Sequence, residues 1–184
     1  MRPGRRVVLA AVTLALAVAA ISAAEAARRV KKQEEAAPVA APGDKRDRLV
    51  AAPGMPFNGR AYWQATAQCG GIYFRLNTLY SDAAITAKVI KPDPAAYTRF
   101  SKEADGASTQ ATTFFEASEH FLVADRKLAR QEAVLTYDAL AQTTGDRLKS
   151  IEAALQASKP CPELYKVCRG AYPQACTDTT ALTN

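Results

Sequence analysis

Proline sets the strongest limit on how this chain can fold. All ten prolines lie before residue 57, at Pro92 and Pro94, or at Pro160, Pro162 and Pro173, leaving two long tracts free of them. Inside a helix, proline removes a backbone hydrogen bond and clashes with the preceding turn. The prolines therefore read as punctuation between helices.

Both tracts carry helical periodicity. From about Gly59 to Ile90, the residues Cys69, Ile72, Leu76, Leu79, Ala83, Thr86 and Ile90 alternate three and four apart and share one stripe. Lys91-Pro92-Asp93-Pro94 ends this helix, and Asp93 with Pro94 forms a start signal for the next. The second stripe reads Tyr97, Phe100, Ala104, Ala107, Ala111, Phe114, Ser118 and Phe121; the third reads Val134, Tyr137, Ala141, Thr144, Leu148, Ile151 and Leu155. An unbroken helix from 94 to 157 would be ~95 Å long, so a turn is expected between Asp125 and Leu128. A short fourth helix, about Pro162 to Gly170, points Leu164 and Cys168 the same way. The expected fold is all-α, an up-down-up bundle of three to four helices with a disulfide-strapped C-terminal segment. The same spacing fits a coiled coil with a partner chain. Abundant Ala, which lets helices approach closely, favours packing within one chain.

The N-terminus reads as an export leader. Arg2, Arg5 and Arg6 precede an apolar run from Val7 to Ala24, followed by small residues at Ala24, Ala26 and Ala27. Cleavage after Ala26 is expected, with cleavage after Ala24 as an alternative. A rival reading is an uncleaved anchor over residues 7–24, because a span needs about 20 apolar residues. The expected organisation is a signal peptide at 1–26, a disordered Pro, Ala and charged linker at 27–58, and a helical domain at 59–184. The linker assignment rests on the breakers Pro53, Gly54, Pro56 and Gly59 and on the lack of apolar periodicity.

The formal charge of +6 suggests a nucleic-acid binder until it is located. Residues 1–27 carry +2 and residues 28–48 carry +3, so residues 49–184 carry only +1. A nearly neutral domain has no basic face for a run of phosphates, and no nucleic-acid partner is expected. The expected partner is an unidentified protein or small-molecule ligand, with membrane contact only if the leader is uncleaved.

Export makes Cys69, Cys161, Cys168 and Cys176 disulfide candidates. A continuous third helix would place the fourth level with Ile90, ~31 Å above Cys69. Cys176, in extended chain, would then reach Cys69 more easily than Cys168 does. Cys161 and Cys168, seven residues or ~10 Å apart along a helix, are too distant to bond unless Cys161 folds back. The reading favours a link from Cys69 to Cys176 or Cys168 and leaves the second pair open. Gly70-Gly71, costly inside a helix, suggests that the C-terminal segment docks there; the alternative is a helix break at Gly70.

The residues supply little catalytic chemistry. The Cys-x6-Cys and Cys-x7-Cys spacings do not match a zinc site, and Cys-x-x-Cys-His, needed for covalent haem, is absent. No nucleophile turn or phosphate-binding glycine loop occurs. No metal or cofactor is expected. Glu116, Glu119 and the sole histidine, His120, form the one compact ionisable cluster. A second stripe on the first helix, Trp63, Ala67, Gly70 and Phe74, marks Trp63, Gly70 and Phe74 as a candidate binding patch. The expected function is an exported, non-catalytic binding or envelope-associated module. The alternatives are an enzyme built on Glu116–His120 and a membrane-tethered spacer.

Overall fold

A computed structural model of the chain describes residues 44–177. The expected leader and the linker up to residue 43 lie outside the described residues. The described residues form α1 (Tyr62–Ile85), which runs into a π-helical turn (Thr86–Ile90), then α2 (Pro94–Arg126), α3 (Arg130–Asp146), α4 (Ile151–Ser158) and α5 (Cys161–Ala171). The fold is the expected all-α bundle, with its C-terminal region held by disulfides.

α1 is the central helix. Its Thr66 hydroxyl lies 2.8 Å from that of Ser118 on α2. Its Gly71 meets the backbone of Ala141 on α3, and its Cys69 is bonded to Cys161 at the start of α5. Three neighbours around one helix explain why α1 is apolar on more than one side. α2 follows its expected stripe from Ala104 on, with Ala104, Ala107, Ala111, Phe114, Ser118 and Phe121 buried, whereas Phe100 is only partly buried and Tyr97 is exposed. Asp93 caps it, its carboxylate accepting the Ala96 N–H at 3.0 Å. α2 ends at Arg126, and Lys127, which follows it, lies in the left-handed region at φ 61°, within the stretch where helix length requires a turn.

The third helix departs from expectation. It is two helices, separated at residues 147–150. Gly145 packs so closely on α1 that an added Cβ would lie 3.1 Å from the Gly71 carbonyl oxygen. Just beyond, Arg75 Nε donates to the Leu148 carbonyl at 2.9 Å. Ser150 then caps α4 by accepting the Ala153 N–H at 3.2 Å. α4 runs back along another side of α1, where Ser158 and Tyr73 line one groove, and this return delivers Cys161 to Cys69.

The disulfides are therefore Cys69–Cys161 and Cys168–Cys176, with Cα separations of 5.7 and 5.9 Å. The expected link from Cys69 to Cys176 or Cys168 is corrected, because it assumed a third helix that carried Cys161 up to the level of Ile90. The geometric objection to Cys161–Cys168 stands, since both lie on α5 and each has another partner. The first bridge closes a loop of 92 residues, contributing up to about 4 kcal/mol in the chain-entropy view.

The glycine pair also has different neighbours from those expected. A Cβ on Gly71 would lie 2.3 Å from the Ala141 carbonyl oxygen and 2.7 Å from its Cα; one on Gly70 would lie 2.4 Å from the Phe115 ring. α3 and α2 thus occupy the space expected for the C-terminal segment, and α1 continues through both glycines.

The end of the expected linker is ordered. Residues 44–58 form turns, and Leu49 pairs with Ala61 in an antiparallel bridge. Val50 and Phe57 are buried. The Asp47 side chain is fully enclosed and accepts from Arg126 Nε at 2.8 Å, Arg126 Nη2 at 2.6 Å and Trp63 Nε1 at 3.3 Å. Arg48 donates to Asp125 at 2.7 Å and lies over the rings of Phe121 and Tyr172. Two consecutive residues thus clamp the entering chain to the last turn of α2. Burial of Val50 and Phe57 supplies the apolar surface that orders this stretch, and the paired charges fix where it docks.

Gly71→Ala is expected to destabilise the fold by about 1–3 kcal/mol, because a rigid backbone blocks the new methyl and outweighs the ~1 kcal/mol gain in helix propensity. Gly106→Ala, which meets no atom within 4 Å, should stabilise by up to ~1 kcal/mol. Urea unfolding of both variants checks the pair; equal effects would contradict the packing described for Gly71.

Candidate functional site

Glu116, Glu119 and His120 share one face of α2, as their spacing implies. They line a shallow groove of about 540 Å³ whose other wall includes Tyr165, Gln174 and Thr177. Glu116 is exposed, while Glu119 and His120 are half-buried. Glu119 is engaged by Arg130 Nε at 3.2 Å, and the His120 ring meets Phe121 edge-on. The Tyr165 hydroxyl donates to the Thr177 carbonyl at 2.9 Å. Among the described residues, no hydrogen bond joins His120 to either carboxylate, and no group of three or more His, Cys, Asp or Glu is placed to hold a metal ion. The face is a polar groove without an assembled acid–base pair.

Trp63, Gly70 and Phe74 do not form one exposed patch. Trp63 is buried between Asp47 and Arg126, whose guanidinium lies 4.8 Å from the indole. Gly70 is covered by Phe115. Phe74 alone is exposed, at 57 %. The four cysteines are all bonded.

Among the described residues, three strongly exposed aliphatic side chains lie at the C-terminal end of α1, where the regular stripe does not place them. A strict three-four repeat drifts by about 20° per heptad against a 3.6-residue helix. The π turn then adds a residue, with the Lys91 N–H donating to the Thr86 carbonyl five residues back at 2.9 Å. Thr86 and Ile90, expected in the core, therefore face outward, and Ala84 and Ala87 take the buried places. Ile85, Val89 and Ile90 are 58, 69 and 74 % exposed. Lys88 lies among them, its Nζ 5.3 Å from the Tyr97 ring centroid. A hollow of about 570 Å³ adjoins this tip, lined by Ala83, Ala87, Pro92, Pro94 and Phe100 among others. The sequence did carry one signal: Ile85 and Val89 are large apolar residues four apart, and both fall off the stripe.

A second groove, of about 710 Å³, runs between α2 and α4–α5 over the floor residues Tyr73, Leu76 and Tyr80. Burial raises the phenol pKa values of Tyr73 and Tyr80, and likewise those of Tyr62 and Tyr137; Glu103 adds to the rise at Tyr80, and Glu119 to that at Tyr137.

Fold and surface together define a disulfide-bonded helical bundle with one apolar end. Comparison with known proteins finds no matching family model, no matching curated protein and no matching solved structure.

Because these tyrosine pKa values are raised in the folded chain, the stability they carry is intact below the ordinary value of about 10. It is lost as pH rises through the folded values. The urea midpoint should therefore hold up to about pH 10 and fall as pH rises above it, in step with tyrosinate absorbance. An unchanged midpoint would show that these phenols are not buried as described.

Proposed function

We propose that this chain is an exported, non-catalytic interaction module that works through the tip where α1 meets α2. The observation carrying this reading is the exposure of Ile85, Val89 and Ile90 at one end of a bundle whose interior is otherwise well covered. Contiguous exposed apolar residues on a small domain mark an interaction surface.

Three further observations support it. Both disulfides suit an oxidising compartment, in keeping with the leader read at 1–26. No helix among the described residues is long and apolar enough to cross a membrane. The chain enters at the opposite end, where Arg46 donates to the Arg126 carbonyl. α1 with its π turn, ~42 Å long, separates the apolar tip from this charged base. An enzyme built on Glu116, Glu119 and His120 has weaker support, since Glu119 is held by Arg130 and His120 lacks a carboxylate partner.

The triple variant Ile85→Ser, Val89→Ser, Ile90→Ser tests the reading in the full chain expressed with its own leader. Its thermal transition should match that of the parent, because all three residues are exposed. Its retention in the cell-envelope fraction should fall at least about tenfold, given the transfer energy of three aliphatic side chains. Unchanged fractionation would contradict the proposal.

A further inference from the structure

We infer that this tip inserts into the headgroup–acyl boundary of a bilayer rich in anionic lipid. The inference deepens the proposed function and rests on its reading of the tip as the working surface.

Size argues against a protein occupant. A stable protein interface takes about 20–30 residues a side, whereas this end offers three strongly exposed aliphatic residues and their immediate neighbours. Entry into the boundary region of a bilayer needs only a small apolar cap with cations beside it. Ile85, Val89 and Ile90 supply the cap. Lys88 and Lys91, both exposed, are interleaved with it. Their apolar stems can lie along the cap while the ammonium groups stay at headgroup level and meet lipid phosphates. Two acids lie near: Asp93, which caps α2 with its carboxylate charged, and Asp82, a turn below the cap; Arg99, over the Phe100 ring at the hollow, adds a third cation to this end.

The backbone is suited to the same task. A segment entering an apolar phase must have its polar groups paired beforehand. At this tip the Lys91 N–H is bonded to the Thr86 carbonyl at 2.9 Å and the Asp93 N–H to the Ala87 carbonyl at 2.8 Å. Pro92 and Pro94, between and after them, have no N–H to satisfy. The connection between α1 and α2 therefore presents few unpaired donors. The adjoining hollow, lined by Ala83, Ala87, Pro92, Pro94 and Phe100, extends the apolar surface at the same end.

Co-sedimentation of the purified full chain with phosphatidylcholine vesicles, with and without phosphatidylglycerol, tests the inference. Every variant retains the same N-terminus, so any leader contribution is common to all. The parent should pellet with the phosphatidylglycerol vesicles, and Val89→Ser/Ile90→Ser should bind them at least about tenfold more weakly. Lys88→Gln/Lys91→Gln should lose the preference for anionic vesicles and its salt sensitivity. Leu135→Ser, exposed but away from the tip, should bind like the parent. Ile85→Ser alone serves if the double variant folds poorly. Equal pelleting of parent and tip variants would overturn the inference. So would a parent that ignores both vesicles while tip variants still lose envelope retention; that result assigns the tip to a protein partner and leaves the broader function standing. Loss of neither property would sink both.

Discussion

The approach of α3 to α1 at Gly71 governs the rest of the fold. Where Gly71 has no side chain, the Ala141 backbone occupies the space, and Gly145 seats the next turn of α3 on the same spot. Just beyond this contact α3 ends beside Arg75, which holds the departing chain at the Leu148 carbonyl. The chain must then turn, and α4 returns it along another side of α1. Cys161 reaches Cys69 because of that return, two residues from the glycine where the sequence of constraints begins. A larger residue at 71 would displace α3 and, with it, the geometry of the bridge.

The base of the bundle is fixed by a different force. Asp47 and Arg48 pair with Arg126 and Asp125, and the aromatic faces of Trp63, Phe121 and Tyr172 shield both pairs. Breaking a buried pair leaves one charge without a partner, which costs more than the pair contributes. This clamp gives the chain a defined entry point at the end opposite the apolar tip. The two ends therefore differ in kind: one anchors the chain through buried charge, and the other leaves aliphatic side chains in the open. The reading of the molecule as an interaction module rests on that difference.

Local features were legible in the sequence where local chemistry determined them. Asp93-Pro94 announced α2, and from Ala104 on its stripe is the buried face because no other element interrupts it. Leu164 and Cys168 point inward together for the same reason. The break between α3 and α4 was hidden although Gly145 and a capping Ser150 were present. The apolar spacing of Leu148, Ile151 and Leu155 runs on through it and imitates one helix. Order in residues 44–58 was not legible, since Asp47 finds its partner 79 residues away. The glycine pair correctly signalled close approach, but nothing local could name Ala141 and Phe115 as the neighbours. Of the candidate sites, the shared face of Glu116, Glu119 and His120 followed from spacing. The split between covered Trp63 and open Phe74 depended on tertiary contacts, and the exposed tip depended on a π turn that regular periodicity cannot represent.

The central claim is that close packing at Gly71 turns the chain back and sets the disulfide map. Peptide mapping by mass spectrometry of the non-reduced, oxidised protein tests it most directly. The account predicts one linked peptide pair containing Cys69 and Cys161 and another containing Cys168 and Cys176. A bond from Cys69 to Cys168 or Cys176 would contradict it, because that would require the third helix to continue past residue 147 and carry Cys161 away from α1.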